Sequence, residues 1–201
     1  LTNGNLLDVG SGTGHFASAM QKAGWQVTGL EPDEGARAVA IKEHALDLFP
    51  SGELFRLPEK KYNAITLWHV LEHVHDVKKY IAAFKKLLND NGKLFIAMPN
   101  YTSYDAETYK EYWAAYDVPR HLYHFTPYTM QWLMKELGLK VLDIKPMWFD
   151  SFYVSLLSSK YKTGNTEWFS AVWTGLISNF KAINDAKKCS SVIYIISPKA
   201  F

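Results

Sequence analysis

The sequence contains a single cysteine, Cys189, and its net charge is only +2 over 201 residues. One cysteine excludes an internal disulfide and cannot build a thiolate zinc site alone, which fits a reducing compartment, and we expect a cytoplasmic protein. This near-neutral net charge argues against a nucleic-acid partner, because nucleic-acid-binding domains are usually strongly basic. No run approaches the ~18 consecutive apolar residues of a membrane span, so no stable membrane insertion is predicted.

The sequence also lacks an initiating methionine, and no signal peptide precedes the first apolar run. This is what a fragment of a longer protein would show, and what preceded Leu1 is not defined. What is present is ample for one core, since 48% of the residues are hydrophobic. The length predicts a single domain covering residues 1–201.

Strand and helix patterns alternate along the first two thirds of the chain, which favours an α/β fold with helices on both faces of a mostly parallel sheet. The fold class predicted is therefore a Rossmann-like, doubly wound sheet of seven strands. The predicted strands are Asn5–Val9, Gln26–Leu30, Leu46–Phe49, Tyr62–Trp68, Lys93–Met98, Leu139–Lys145 and Ser191–Ser197. The predicted helices are Gly14–Ala23, Glu34–His44, Val77–Leu88, a helix from Pro127 to Leu137 capped by Thr126, and one or two between the last two strands.

Two insertions interrupt the alternation, at 100–125 and 147–188. Long insertions in compact domains are usually functional, so both are expected to form the substrate side. Tyrosines of the first insertion, among them Tyr104 and Tyr116, are candidates to line a pocket for an apolar or aromatic acceptor. Core packing is the alternative for half of these aromatic residues.

The first strand runs into a glycine-rich turn, Asp8-Val9-Gly10-Ser11-Gly12-Thr13-Gly14. Such a turn lets a ligand approach the backbone, and the helix after it favours an anionic group. Here the third glycine comes one residue earlier than in the dinucleotide fingerprint. Asp8 at the strand end suits a cationic ligand group, and Glu31 after the second strand can accept both hydroxyls of a ribose. S-adenosylmethionine satisfies all three features, while a nicotinamide cofactor is the main rival.

The chain resembles the class I S-adenosylmethionine-dependent methyltransferases, and among them the small-molecule group that includes the ubiquinone and menaquinone O-methyltransferases. The resemblance covers nearly everything from 5 to 146, with one departure at Asn63, where the family usually has Asp. The segments that carry it are Leu7–Gly14, Gly29–Pro32, Tyr62–Ile65, Val70–Val74 and Leu88–Leu94.

The resemblance implies a seven-stranded sheet whose last strand is antiparallel, and it implies specific cofactor contacts. The residues expected at the cofactor are Asp8, Gly10, Ser11, Gly12, Gly14, Glu31, Pro32, Glu53, Trp68 and His69. Among these, Glu53 is the nearest candidate for the adenine amino group, while Trp68 and His69 would lie beside the methionine part.

Methyl transfer depends mainly on positioning, and a general base is needed only if the acceptor must lose a proton. His69, Glu72 and His73 are spaced for one helical face, which could hold a divalent metal or present a base. For Glu72 and His73 we favour a structural role, and no metal is predicted. His69 is the better catalytic candidate because it should face the methyl group.

A second polar cluster occupies 117–126, between the fifth predicted strand and the next helix. Arg120 could bind an anionic part of the substrate, and His121 and His124 could act as bases. The alternative is a structural cluster in which Arg120 bonds to carbonyl groups and His124 packs against the Thr126 cap.

A helical stripe near the C-terminus is strongly apolar, and we expect it to be buried on the domain or against a second subunit in a homodimer. Its members are Trp168, Phe169, Val172, Trp173, Leu176, Ile177 and Phe180. A membrane-surface role is not favoured, since the polar face of this helix has few basic residues.

The sequence thus predicts an enzyme that moves a methyl group from S-adenosylmethionine to a small-molecule substrate. A nicotinamide-dependent oxidoreductase and a non-catalytic S-adenosylmethionine-binding protein are the alternatives.

Overall fold

Six strands form one sheet in the order β2-β1-β3-β4-β6-β5, in a computed structural model that describes residues 3–198. Strands β1 to β4 are parallel, and β6 runs antiparallel to both neighbours, as predicted for the last strand. The predicted 1–201 domain extends at both ends beyond the described residues. The strands are β1 Asn5–Val9, β2 Gln26–Leu30, β3 Tyr62–Trp68, β4 Leu88–Pro99, β5 Leu139–Pro146 and β6 Ser191–Pro198.

Seven helices flank or follow these strands, and the central strands are apolar because they are covered on both faces. Leu7 of β1 and Ile65 of β3, for example, are fully buried. Thr126 caps its helix as predicted, with its side-chain oxygen accepting from the Thr129 N–H. The helices are α1 His15–Lys22, α2 Glu34–His44, α3 Val77–Leu87, α4 Tyr104–Tyr109, α5 Pro127–Glu136, α6 Asp150–Thr163 and α7 Trp168–Asn184.

The seventh strand, predicted at Leu46–Phe49, is not formed, so that count is wrong. The segment does lie beside β2, where the Phe49 N–H donates to Gly29 and the Phe49 carbonyl accepts from Glu31, but these bonds make a single bridge. Pro50 follows immediately and has no N–H with which to extend a ladder, and a 3-10 helix begins at Ser51.

The contacts between the two insertions include one buried carboxyl group, that of Asp105 on α4. Its Oδ1 accepts from the Ser178 hydroxyl of α7 at 2.7 Å, and its Oδ2 accepts from Trp113 Nε1 and the Ser190 hydroxyl, each at 2.7 Å. Asp105 is fully buried, so these three bonds replace the water that the group has lost.

Helix α7 has the two faces that the sequence predicts, but the apolar one is turned outward. The side against the domain consists of small residues, and Gly175 allows α7 to approach Phe152 of α6, which would lie 2.8 Å from an added Cβ. Six of the seven stripe residues are exposed instead, from 39% at Val172 to 95% at Phe169, and Ile177 is half-buried. The predicted burial of the stripe on the domain is therefore wrong, because small residues permit a closer helix contact than the aromatic ones would.

No helix within the described residues is both long and apolar enough to cross a bilayer. The carboxyl ends of parallel β1, β2, β3 and β4 meet at one edge of the sheet, which is where ligands bind in doubly wound folds. The glycine-rich turn follows β1 there, Glu31 follows β2 and His69 follows β3.

Candidate functional site

The turn after β1 requires glycine. Gly10, Gly12 and Gly14 all have positive φ, at 74°, 54° and 85°. A Cβ on Gly10 would lie 2.4 Å from Val70, whereas one on Gly12 would meet nothing within 4 Å. The turn therefore leaves open space above its middle and tolerates no side chain at its start.

Asp8 places a buried carboxyl group at the end of β1. Its Oδ1 accepts a 2.6 Å bond from the Thr66 hydroxyl, while its Oδ2 is buried and has no hydrogen-bond partner among residues 3–198. Burial raises the pKa of Asp8, the hydrogen bonds from Thr66 and Ser11 lower it, and the charge of Glu31 raises it, so that the net shift is upward. A buried oxygen without a partner is costly, and a cationic ligand group would satisfy it.

Glu31 joins the turn to the end of β2. Its carboxylate accepts from the Gly12 N–H at 2.7 Å and from the Asp33 N–H at 2.9 Å. The side chain is 7% exposed, so it is held in one position at the mouth of the turn. Two acceptor oxygens fixed there can receive two neighbouring hydroxyl groups.

A cavity of about 580 Å³ opens beside these groups, which is within the usual range for small-molecule sites. Five of the residues predicted at the cofactor line it, namely Gly10, Glu31, Pro32, Trp68 and His69, whereas Asp8, Ser11, Gly12 and Gly14 are not among its lining residues. Glu53 does not line this cavity, since it points to Arg56 in an exposed 2.7 Å ion pair. The further lining residues, which the sequence did not single out for this role, include Ser51, Phe55, His73, Val74, His75, Asp76, Lys79 and Tyr80.

His69 stands in an unusual backbone conformation directly after β3, with φ of 54°. Residues other than glycine adopt this region at an energetic cost, and such outliers cluster at functional sites. Its Nδ1 lies 3.3 Å from a Glu72 oxygen, and its Nε2 lies 3.7 Å from an Asp150 oxygen. Burial lowers the pKa of His69, but the hydrogen bond to Glu72 and the charges of Asp150 and Glu72 outweigh it, and the net pKa is raised.

A second cavity of about 250 Å³ lies on the other side of His69, which lines both spaces. Arg120 and His121 line the second cavity too, so the structure brings these predicted residues together. Burial lowers the pKa of His121, although the charge of Glu72 and a hydrogen bond to the Ala115 carbonyl act in the opposite direction. The other lining residues are Pro99, Ala114, Ala115, Asp117, Asp150, Tyr153, Val154, Leu157 and Tyr161.

Three other predicted residues lie outside this second cavity. His124 bonds the Tyr116 carbonyl at 2.9 Å, and the rings of Tyr116 and His124 meet edge to face. Tyr104 lies beneath the ammonium group of Lys181 at 4.0 Å, near α7. Arg120, by contrast, lines the cavity, but its side chain is largely exposed and donates to Asp117 at 2.8 Å.

Three further lining residues, Asp150, Tyr153 and Tyr161, lie on α6 and were not predicted individually. They belong to the 147–188 insertion, which the sequence predicts as a whole to be on the substrate side. Their only local signal is a polar and aromatic spacing along one helix, and their approach to His69 depends on how α6 packs. Asp150 also accepts a hydrogen bond from Ser191 at the start of β6.

Glu72, His73 and His121 form a group able to hold a metal ion, because their ligand atoms all lie within 4.8 Å of one another. Glu72 is almost fully buried and its Oε2 has no partner, while His73 Nδ1 is 3.0 Å from the Arg120 carbonyl. This differs from the His69, Glu72 and His73 set that the sequence spacing indicates. The expectation of no metal stays a prediction.

The fold and the strand-end site define a cofactor-binding α/β protein, and comparison with known proteins narrows this. The sequence pattern of a family described as a methyltransferase domain matches residues 1–144. The chain therefore belongs to the methyltransferase domain family.

Individual relatives are consistent with this. The ubiquinone biosynthesis O-methyltransferase of Pasteurella multocida is 35% identical over 119 residues, which are 51% of this chain and 49% of that protein. The chain thus spans about half the length of the curated relatives it matches.

Two solved structures show a similar fold. A SAM-dependent methyltransferase from Archaeoglobus fulgidus has a TM-score of 0.65 at 19% identity, and the match covers 98% of this chain and 87% of the other. Phosphoethanolamine N-methyltransferase 2 of Haemonchus contortus, solved with S-adenosyl-L-methionine, has a TM-score of 0.64 at 18% identity. That match covers 99% of this chain and 49% of the other.

Proposed function

We propose that this chain transfers a methyl group from S-adenosylmethionine to a hydroxyl group of a small-molecule acceptor. The observation that carries the proposal is that His69 lines both cavities, so that a ligand in one meets a ligand in the other at this side chain. The family membership supports the reaction class, and the names of the O-methyltransferase relatives favour an oxygen acceptor.

The larger cavity fits the cofactor. S-adenosylmethionine, when bound, supplies an electrophilic methyl group on a sulfonium. Glu31 would receive the ribose hydroxyls, the unpartnered Oδ2 of Asp8 would face a cationic part, and the open space above Gly12 would let the ligand approach the backbone of the turn. Ser51 and Phe55 line this cavity, whereas Glu53, the predicted contact of the adenine amino group, pairs with Arg56 outside it.

His69 is the residue placed to take a proton from the acceptor. A proton on its Nδ1 would be donated to Glu72, and its Nε2 then carries the lone pair. This Nε2 is buried and has no hydrogen-bond partner among the described residues, so it is free to accept a proton. Asp150, 3.7 Å away, would stabilise the imidazolium that results.

The acceptor would occupy the smaller cavity. Its walls combine apolar groups of Val154 and Leu157 with the rings of Tyr153 and Tyr161, while Arg120 stands at an exposed position. This lining suits a molecule with an apolar or aromatic body and one polar end. We further propose a cytoplasmic protein that does not act on nucleic acid.

The test is to titrate the chain with S-adenosylmethionine by calorimetry and then follow the transfer of labelled methyl groups to a panel of small phenols and alcohols. We expect binding, with turnover of at least one acceptor that His69→Asn abolishes. Asparagine is chosen because it tolerates the left-handed backbone at this position.

The same titration separates the alternatives. Binding of a nicotinamide cofactor without binding of S-adenosylmethionine would replace the proposal with the oxidoreductase, which the family membership does not favour. Binding without turnover across the panel, at wild-type His69, would support a non-catalytic cofactor-binding protein.

A further inference from the structure

The outward face of α7 is an apolar ridge that nothing in the described part of the chain covers. At about 100° per residue, its six exposed members fall within an arc of about 100°, with no polar or charged residue among them. They run the length of a 17-residue helix. The members of this α7 ridge are Phe169, Val172, Trp173, Leu176, Phe180 and Ile183, and all are at least 39% exposed.

The ridge is not a by-product of poor packing on the inner side of α7. Ala171, Gly175, Ser178 and Ala182 make the inner contacts and are buried. Ser178 also donates to buried Asp105, which fixes the rotation of the helix about its axis. The outward direction of the ridge is therefore set by specific contacts, and a continuous exposed apolar surface of this kind marks an interaction site.

Lysines gather at both ends of the ridge. Residues 160–188 contain five lysines against two acids, a net charge of +3, whereas the whole chain carries only +2, so that the remainder has −1. Lys160 and Lys162 lie in the last turn of α6, just before α7 begins, and Lys187 and Lys188 come just after it ends. The polar face of α7 alone has few basic residues, and the segments that directly precede and follow α7 supply the other lysines.

We propose that the α7 ridge docks on the surface of an anionic lipid bilayer, with α7 lying in the plane of the interface. Tryptophan and phenylalanine are the side chains that interfacial helices insert, and lysines beside them attract anionic headgroups. A second copy of this chain is the less favoured occupant. In a symmetric pair of α7 helices, parallel or antiparallel, the lysine groups at the helix ends would face each other, and like charges oppose such pairing.

The experiment is flotation of the chain with vesicles of phosphatidylcholine alone or with about 30% phosphatidylglycerol, without cofactor or acceptor. We expect the partition coefficient to be about tenfold or more higher on the anionic vesicles, and most of this preference to be lost at about 0.5 M NaCl. Because no methyl transfer is measured, the result is independent of the proposed reaction.

The variant pair is Phe169→Ser with Phe180→Ser, matched by Ile41→Ser on α2, which is also an exposed apolar position. We expect the double variant to bind anionic vesicles about tenfold or more weakly and the matched variant to bind as the original chain does. Circular dichroism should show both folded, since the replaced side chains are exposed.

Three results would overturn the proposal. The first is no binding of the original chain to anionic vesicles, and the second is equal binding of the double variant. The third is a dimer, seen by light scattering, that Phe169→Ser with Phe180→Ser converts to a monomer, which would assign the ridge to a second copy.

Discussion

The two cavities beside His69 are built in different ways. The larger one is formed mainly by short stretches that follow β1, β2 and β3, and its key hydrogen bonds join neighbouring turns, such as Gly12 with Glu31. The smaller one depends on contacts between distant parts of the chain, such as the Ala114 N–H with the Ser158 hydroxyl at 2.8 Å. The cavity proposed for the cofactor is thus encoded locally, whereas the cavity proposed for the acceptor exists only after two insertions have packed together.

The largest effect is expected from His69→Asn, because His69 is the residue that lines both cavities. We expect kcat to fall by about a thousandfold, in the range typical for a lost general base, with the affinity for S-adenosylmethionine changed less than about threefold. His124→Asn is the comparison, because His124 lies outside the second cavity, and it should change kcat by less than about threefold. An equal fall in kcat in the two variants would argue against His69 as the general base.

On the cofactor side alone, Gly10→Ala should have the next largest effect. The added methyl group would meet Val70 at 2.4 Å on a backbone with φ of 74°. Backbone strain and displacement of the turn should cost about 2–3 kcal/mol. Calorimetry should therefore show that the variant binds S-adenosylmethionine about a hundredfold more weakly. Gly52→Ala is the matched change, since a Cβ there meets nothing within 4 Å, and its affinity should stay unchanged.

The pH profile of kcat tests the charges around His69. A base must be neutral, so the rate should rise with pH through the pKa of His69, which lies above its ordinary value. Glu72→Gln removes a charge that raises this pKa, and the rise in rate should therefore move to lower pH. Glu53→Gln, which changes an exposed carboxylate in an ion pair with Arg56, should leave the profile in place. A profile that Glu72→Gln does not move would argue against His69 as the titrating group.

The smallest effect is expected from the acceptor wall. Tyr161→Ala should raise the KM for the acceptor by about fivefold through the loss of apolar contact, without changing the affinity for S-adenosylmethionine. Tyr104→Ala, predicted from the sequence as a substrate contact but located under Lys181, should change that KM by less than about twofold. If steady-state kinetics showed a larger rise in KM for Tyr104→Ala than for Tyr161→Ala, the acceptor would bind outside the smaller cavity.

The same contrast explains what the sequence could predict. The turn from Asp8 to Gly14 and the acid Glu31 are defined by short spacing, because a parallel strand and its following turn fix where each side chain lies. Five of the six observed strands begin at their predicted residues, as do α2, α3 and α5, whereas β4 begins at Leu88 rather than at Lys93. Leu46–Phe49 has the apolar content of a strand, but Pro50 limits it to one bridge.

Other features depend on packing, which no local pattern encodes. Asp150 reaches His69 only because α6 packs over the ends of the strands. The sequence correctly separates the two faces of α7, but not which one turns inward, since Gly175 and its small neighbours allow a contact that hydrophobicity alone does not predict.

The buried carboxyl group of Asp105 has a consequence for how acceptor specificity could be inherited or engineered. It lies in the first insertion, while its partner Ser178 lies in the second insertion and Ser190 lies just before β6. A chimera that replaces only the second insertion would remove the Ser178 donor, at about 1–3 kcal/mol for the unsatisfied buried oxygen. The two insertions should therefore be exchanged together when acceptor specificity is transferred from one protein to another.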